Sequence, residues 1–221
     1  MKMSQIKAAI FDLDGTLINS LTDIALSMNK ALEKLGYPTH EVQKYIDFIG
    51  SGAKHLAACA IEESKRQDDK EVEKLLGIYK EIYAKAYLDN TVAYEGIEDM
   101  LKTLSKDIPV CVLSNKPNQD TKELVEIIFK DISFKYVYGQ REGIPKKPDP
   151  FVVLQIAKEL DLKPQEIMYV GDSGVDMQTG TRAEAVTVGV LWGFRGREEL
   201  LENGAQHLVS SPEEIVNIYK Q

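Results

Sequence analysis

The sequence is poor in the residues that build disulfide or thiolate-metal frameworks. Only two cysteines, Cys59 and Cys111, occur among 221 residues. They fall in segments assigned below to different domains, so no structural disulfide is expected and buried free thiols are the default. The three histidines, His40, His55 and His207, are scattered without ligand spacing, and no zinc site is expected from them. No apolar run approaches the roughly 20 residues that a membrane helix needs. The stretch MKMSQIKAAIFDLDG has neither a long apolar segment nor a small-residue cleavage site, so no secretory signal is expected. A reducing, cytoplasmic setting follows by elimination. Cations are in deficit: Lys+Arg 27 against Asp+Glu 35 leaves a net charge of −8. An acidic surface argues against general binding to nucleic acid or anionic membrane. It leaves room for a small anionic substrate, which a few local cations can serve.

What is present is ordinary globular material. The chain is 43% hydrophobic and 28% charged, with 15 glycines and 8 prolines and no repeat or low-complexity segment. Its length is large for one small domain and short for two full ones, which suits a core carrying an insertion. The run Ile6–Leu13 is apolar and β-branched, with no room for a helix before Gly15, and reads as a buried parallel strand. From Leu21 to about Leu88 the pattern turns helical. Leu21, Ile24, Ala25, Met28, Leu32 and Leu35 share one face, and Gly36-Tyr37-Pro38 ends it. A second helical face is expected over 42–49, a third segment over 53–62 and a long one over 72–86. After Asn90 strands alternate with helices: strands at 108–113, 136–138, 167–170, 186–190 and 208–209, helices between them and a last helix from Glu213. The expected fold is therefore α/β: a Rossmann-like parallel sheet with helices on both faces, residues 1–16 and 91–221, interrupted by an all-helical insertion over 17–90.

In such sheets the ligand crevice lies at the carboxyl ends of the strands. Polar residues collect there: Asp12 and Asp14 after the first strand, Ser114-Asn115-Lys116 after the second, Lys146-Lys147-Pro148-Asp149-Pro150 before a helix, and Asp172-Ser173-Gly174-Val175-Asp176 after a later strand. Any one aspartate at a strand end is as readily a helix cap or turn former. Four converging acids are costly unless a hard cation joins them, and an oxygen-only ligand set favours Mg2+. The one-residue spacing of Asp12 and Asp14 lets one attack while the other handles protons. Spacing alone does not choose between Lys146 and Lys147.

Phe11-Asp12-Leu13-Asp14-Gly15-Thr16-Leu17 resembles the first signature of the haloacid-dehalogenase-like hydrolases. Ser114-Asn115-Lys116, Lys147-Pro148-Asp149-Pro150 and Gly171-Asp172-Ser173-Gly174-Val175-Asp176 resemble the second, third and fourth, in the family's order. The insertion resembles that family's C1-type cap. Phe48-Ile49-Gly50-Ser51-Gly52 and Leu191-Trp192-Gly193-Phe194-Arg195 are most similar to its phosphoglycolate phosphatases.

The resemblance implies a Mg2+-dependent phosphomonoester hydrolase acting on a small phosphorylated metabolite, as monomer or homodimer. Asp12 is then the nucleophile that becomes an aspartyl-phosphate, and Asp14 the proton donor and later base. Ser114 and Lys147, the lysine chosen by the resemblance, stabilise the phosphoryl group. The metal is expected on Asp12, the Asp14 backbone carbonyl and Asp172, with Asp176 acting directly or through water. Gly15, Thr16 and Asn115 are expected to line the substrate.

In the cap, Gly50-Ser51-Gly52 opens a helix carrying Lys54. Ser51, Gly52 and Lys54 either grip the far end of a substrate such as 2-phosphoglycolate or make an ordinary helix–helix turn. Asn19 is expected in the turn into the first cap helix, and Trp192 and Phe194 in packing rather than closure over the cleft. Competing readings are a β-phosphoglucomutase-type phosphomutase, a pyrophosphatase, and a receiver-like phospho-aspartate signalling module. The last is disfavoured by length, by the helical insertion and by an acid on the first strand rather than a middle one.

Overall fold

The computed structural model describes residues 5–220. Two compact units emerge. One takes the chain up to Ile18 and again from Ala93, and the other is Asn19–Val92.

The first unit is built on a six-stranded sheet. Its strands are β1 (Ala8–Phe11), β4 (Val110–Pro117), β5 (Tyr136–Gln140), β6 (Ile167–Gly171), β7 (Val186–Val190) and β8 (His207–Val209). The remaining two, β2 (Ile18–Asn19) and β3 (Val92–Ala93), are short segments where the chain passes from one unit to the other. The sheet order is β5-β4-β1-β6-β7-β8, and every described pairing is parallel. From β1 the chain builds outward to β4 and β5 on one side, then crosses to β6, β7 and β8 on the other. This reversal makes a crevice at the carboxyl ends of β1, β4 and β6.

Burial on both faces explains why these strands read as continuous apolar runs rather than alternating ones. Ala8, Ile10, Cys111, Leu113, Ile167 and Tyr169 point to one face and pack on Val152, Val153, Ile156 and Ala157. Those four residues belong to α6 (Phe151–Glu159). α5 (Asn118–Ile128) packs on β4 and β5, and α7 (Gly174–Arg182) on β6 and β7. α4 (Ile97–Leu104) packs on α9 (Pro212–Tyr219), and α8 (Arg197–Glu202) follows β7.

The second unit holds α1 (Leu21–Lys34), α2 (Ala53–Ala60) and α3 (Asp69–Ala86), with α1 and α2 both packed on α3. The expected helix over 42–49 is instead a 3-10 helix, Val42–Asp47. The segment is confined between Pro38 and the glycine turn at Gly50, too short to repay α-helix nucleation, and short pieces favour the tighter form. Its anchor is Tyr45, fully buried, whose hydroxyl donates to Asn29 Oδ1 at 2.6 Å. His40 packs edge-on against Tyr45 and Phe48. Cys59 and Cys111 are free thiols. Among the described residues no helix is long and apolar enough to cross a membrane.

Asp23, buried on α1, fastens the returning end of this unit. Its carboxylate accepts from the Asn90 amide nitrogen at 2.9 Å, Asn90 Nδ2 at 2.8 Å, the Thr91 amide nitrogen at 2.8 Å and Thr91 Oγ1 at 2.7 Å. Hydrogen bonds to a buried charge are the strong kind, and deleting the acceptor strands several donors. Asp23→Ala should destabilise the helical unit by about 2–3 kcal/mol, with Asp23→Asn losing less. A urea titration followed by circular dichroism reads this as a fall in midpoint, and an unchanged midpoint for Asp23→Ala counts against the clasp.

Candidate active site

The site grows out of the carboxyl end of β1. The Asp12 amide nitrogen still donates to the Val170 carbonyl at 2.9 Å, so the first acid sits in sheet register beside β6. The chain then turns sharply. The amide nitrogens of Thr16, Leu17 and Ile18 all point at the Leu13 carbonyl, and Gly15 takes φ +85°. Gly15 is required twice over: the backbone is left-handed there, and an added Cβ would fall on the Asp172 carboxylate.

Lys147 is the hub. Its ammonium lies 2.7 Å from Asp12 Oδ1 and 2.7 Å from Asp176 Oδ1, and its side chain is 3% exposed. Lys146 is exposed and makes neither of these contacts. Asn115 fixes the lysine backbone through a reciprocal amide pair. Asn115 Nδ2 donates to the Lys147 carbonyl at 3.1 Å, and the Lys147 amide nitrogen donates to Asn115 Oδ1 at 2.9 Å. Ser114 lies beside it on β4, buried, its Oγ accepting from the Lys116 amide nitrogen at 3.2 Å.

At β6 the strand ends in Gly171 and Asp172, and α7 begins at once. Ser173 caps α7: its Oγ accepts from the Asp176 amide nitrogen at 3.3 Å and donates to Asp176 Oδ2 at 2.6 Å. Asp176 Oδ1 also receives the Tyr169 hydroxyl at 3.3 Å. Both oxygens of Asp176 are thus engaged by protein donors. One oxygen of Asp172, Oδ2, accepts from the Phe194 amide nitrogen at 2.7 Å.

Asp12, Asp172 and Asp176 are all buried and each offers an oxygen within 4.8 Å of the others. One ammonium faces three carboxylates, and the electrostatics record the imbalance. Burial, then the Asp176 charge, hold the Asp12 carboxyl well above its ordinary range, against the pull of Lys147. Burial and Asp176 push Asp172 up to about 7. For Lys147 burial favours the neutral amine, but Asp12 and Asp176 outweigh it and hold the lysine firmly charged. Thr16 adds a fully buried hydroxyl with no protein partner. Excess buried negative charge and oxygen-only donors fit a small divalent cation.

Asp14 stands apart from this trio. Both of its oxygens are 3.0 Å from the Lys116 ammonium, itself buried. Lys116, Tyr169 and Ser173 are the participants that sequence reasoning passed over. Lys116 was in view as the third residue of Ser114-Asn115-Lys116, and two adjacent polar residues at a strand end were reason enough to ask where its charge goes. Tyr169 carries no signal beyond its place in the strand at 167–170, because a hydrophobic pattern registers its ring and not its hydroxyl.

Among the insertion residues, Ser51 and Gly52 form the turn before α2, with Gly52 at its N-cap. Lys54 is half-exposed and ion-paired with Asp69 at 3.2 Å and Glu73 at 3.0 Å within the helical unit. Asn19 Oδ1 accepts from the Leu21 amide nitrogen at 3.3 Å, the expected turn into α1.

The family model for haloacid dehalogenase-like hydrolases matches residues 9–190. A phosphoglycolate phosphatase of Aquifex aeolicus is 32% identical over 193 residues, covering 85% of this chain and 86% of that protein. A phosphoglycolate phosphatase of Pseudomonas putida is 30% identical over 192 residues, covering 85% and 70%. Among solved structures, a protein of Lactobacillus delbrueckii subsp. bulgaricus proposed to be a phosphoglycolate phosphatase superposes with a TM-score of 0.90 at 30% identity, covering 98% of this chain and 99% of that one.

The raised carboxyl at Asp172 has a stability consequence. An unfolded aspartate titrates near 3.8, and Asp172 in the fold near 7. Between those values the folded protein holds a proton that the unfolded chain has released. The contribution is therefore full below about pH 4 and lost as pH rises through about 7. In EDTA the melting temperature should fall by several degrees from pH 5 to pH 8. Asp172→Asn should flatten that slope, and Mg2+ at pH 8 should restore the melting temperature of the parent but not of the variant. Parallel slopes for parent and variant in EDTA would remove the assignment.

Proposed function

The chain belongs to the haloacid dehalogenase-like hydrolase family, and from that premise we propose that it is a Mg2+-dependent phosphomonoester phosphatase, acting through an aspartyl-phosphate on Asp12 and preferring a small phosphorylated acid such as 2-phosphoglycolate. The observation that carries this reading is the chain Asp12–Lys147–Asp176 with Asp172 beside it and Asp14 two residues beyond. Asp172 and Asp12 with the Asp14 carbonyl would hold the metal, which when bound supplies positive charge to both the phosphoryl group and the Asp12 carboxylate.

The residues divide the remaining work. Lys147 occupies Asp12 Oδ1 and so turns the carboxylate to a fixed direction, presenting an oxygen to phosphorus. An Asp12 oxygen forms a bond to phosphorus while the ester P–O bond breaks. The leaving alkoxide takes its proton from the Asp14 carboxyl. Asp14 then takes a proton from water as that water attacks the phosphorus of the acyl-phosphate. Phosphate is released and the Asp12 carboxylate returns. Charge accumulates on the equatorial phosphoryl oxygens, where the Lys147 ammonium, the Ser114 hydroxyl and the backbone amides after Asp12 are set to meet it. Asn115 acts one step back in this scheme, by holding the Lys147 backbone. Asp176 pairs with Lys147 and, with an oxygen within 4.8 Å of those of Asp12 and Asp172, would meet the metal directly or through water.

The preference for a small acid rests on the phosphoglycolate phosphatases among the relatives. In the helical unit, Ser51, Gly52 and Lys54 are the residues proposed to grip the far end of the substrate, the exposed pairs of Lys54 with Asp69 and Glu73 being weak enough to exchange for an anion.

Asp12→Asn should abolish Mg2+-dependent phosphate release from every substrate, a loss of about 1000-fold or more, with an unchanged circular dichroism spectrum. Retained turnover refutes the nucleophile. A phosphomonoester panel scored by kcat/KM should place 2-phosphoglycolate at least about tenfold above sugar phosphates and pyrophosphate. A sugar phosphate at the head of the panel, with stimulation by its bisphosphate, would move the reading to a phosphomutase.

A further inference from the structure

We propose that the segment Trp192–Phe194 is a positioning strap for the metal-binding carboxylate of Asp172, with Trp192 as its anchor. The proposal rests on the reading of Asp172 as a metal ligand and goes beyond it, to what aims that ligand. β7 ends at Val190, and the Leu191 amide nitrogen still donates to the Val209 carbonyl at 2.9 Å. Beyond this the chain leaves the sheet and runs across the carboxyl ends of the strands, where it makes two directed contacts. The Trp192 indole Nε1–H donates to the Thr16 carbonyl at 3.0 Å, gripping the turn that follows Asp14. Two residues on, the Phe194 amide nitrogen donates to Asp172 Oδ2 at 2.7 Å.

Gly193 lies between these contacts and has no room for a side chain. A Cβ there would fall on the Asp172 side chain and the Gly15 carbonyl. Gly15 faces the same congestion from the other side, against the Asp172 carboxylate and the Phe194 ring. Turn, carboxylate and strap are thus packed in direct contact. The strap continues into α8, where Glu199 Oε1 accepts from the Gly174 amide nitrogen at 2.8 Å, at the first residue of α7.

The consequence is directional. With Oδ2 held by a backbone donor, the Asp172 carboxylate cannot spin about its terminal bond, and Oδ1 is the oxygen left to face a cation. A carboxylate ligand fixed by a second hydrogen bond loses less freedom when the metal arrives. The indole N–H of Trp192 is spent on the Thr16 carbonyl, so its effect passes through Thr16 and the strap. Nothing in local sequence periodicity signals this, because the indole partner is far away in the chain.

The test reads metal binding directly, by titrating the full chain with Mn2+ and following free Mn2+ by electron paramagnetic resonance, with Mg2+ calorimetry beside it. Trp192→Phe keeps the ring packing and deletes the Nε1–H. Its dissociation constant for Mn2+ should rise roughly 5- to 50-fold, while kcat at saturating Mg2+ stays within about threefold of the parent. Gly193→Ala attacks the strap from its middle and should weaken Mn2+ binding at least as much, which decides the matter if Trp192→Phe folds poorly. Metal affinities within about twofold of the parent overturn the strap, whatever happens to melting temperature. A parent chain that binds neither ion overturns the metal reading itself.

Discussion

The ammonium of Lys147, buried between Asp12 and Asp176, is the interaction on which the rest of the site depends. Two contacts of 2.7 Å to two carboxylates, from a buried ammonium, give a strong pairing and a severe demand. Removing one partner from such a buried group costs about 3–5 kcal/mol, because the charge left behind has nowhere to go. Every neighbour restrains one of the three participants. Asn115 ties the lysine backbone to β4, Tyr169 and Ser173 hold Asp176 at the start of α7, and the ladder with β6 seats Asp12. The lysine is presented by a loop, Asp12 by the end of β1 and Asp176 by the first turn of α7, and the reversal in strand order brings all three to one crevice.

That requirement also explains the organisation of the chain. β1 lies inside the sheet, flanked by β4 and β6, so its carboxyl end is walled on both sides. An insertion directly after the Asp14 turn leaves the sheet's strand order intact, and the apolar cluster on one sheet face is built from first-unit residues. The cost falls on the returning strand, which must come back in one place for β4 to enter the sheet beside β1. Asp23 meets that cost inside the helical unit, by accepting from four donor groups on Asn90 and Thr91. A buried carboxylate is an expensive clasp, and it is used here on the last residues of the helical unit.

Much of this was legible before any coordinates. The strands of the sheet, buried on both faces, announce themselves as short β-branched runs, and the residues at their carboxyl ends as the site. What periodicity does not carry is contact across long separations. Lys116 meets Asp14 over 102 residues and Trp192 meets Thr16 over 176, and neither pairing has a local pattern to betray it. The amide of Asn115 completes a pair with the Lys147 backbone, a partner 32 residues away, which no local pattern carries. Trp192 was expected to pack, which describes its ring and misses its one polar atom. The helix expected over 42–49 failed for a different reason: apolar spacing records which side is buried, and a short 3-10 helix buries a side as well as an α-helix does.

The site is assembled against its own electrostatics. Asp12 and Asp172 both sit with carboxyls driven upward by burial and by the charge on Asp176, while Lys147 supplies a single balancing charge. A sequence selected only for stability would not keep three acids within 4.8 Å of each other in a buried crevice. The same imbalance is what gives the pocket its chemistry. In the proposed reaction a divalent cation would offset the cost of deprotonating these carboxyls, and a phosphoryl group would bring anionic oxygens to the lysine and the metal. Groups already held in place by their neighbours need little rearrangement when charge arrives, which is what the proposed phosphoryl transfer would ask of Lys147 and Ser114.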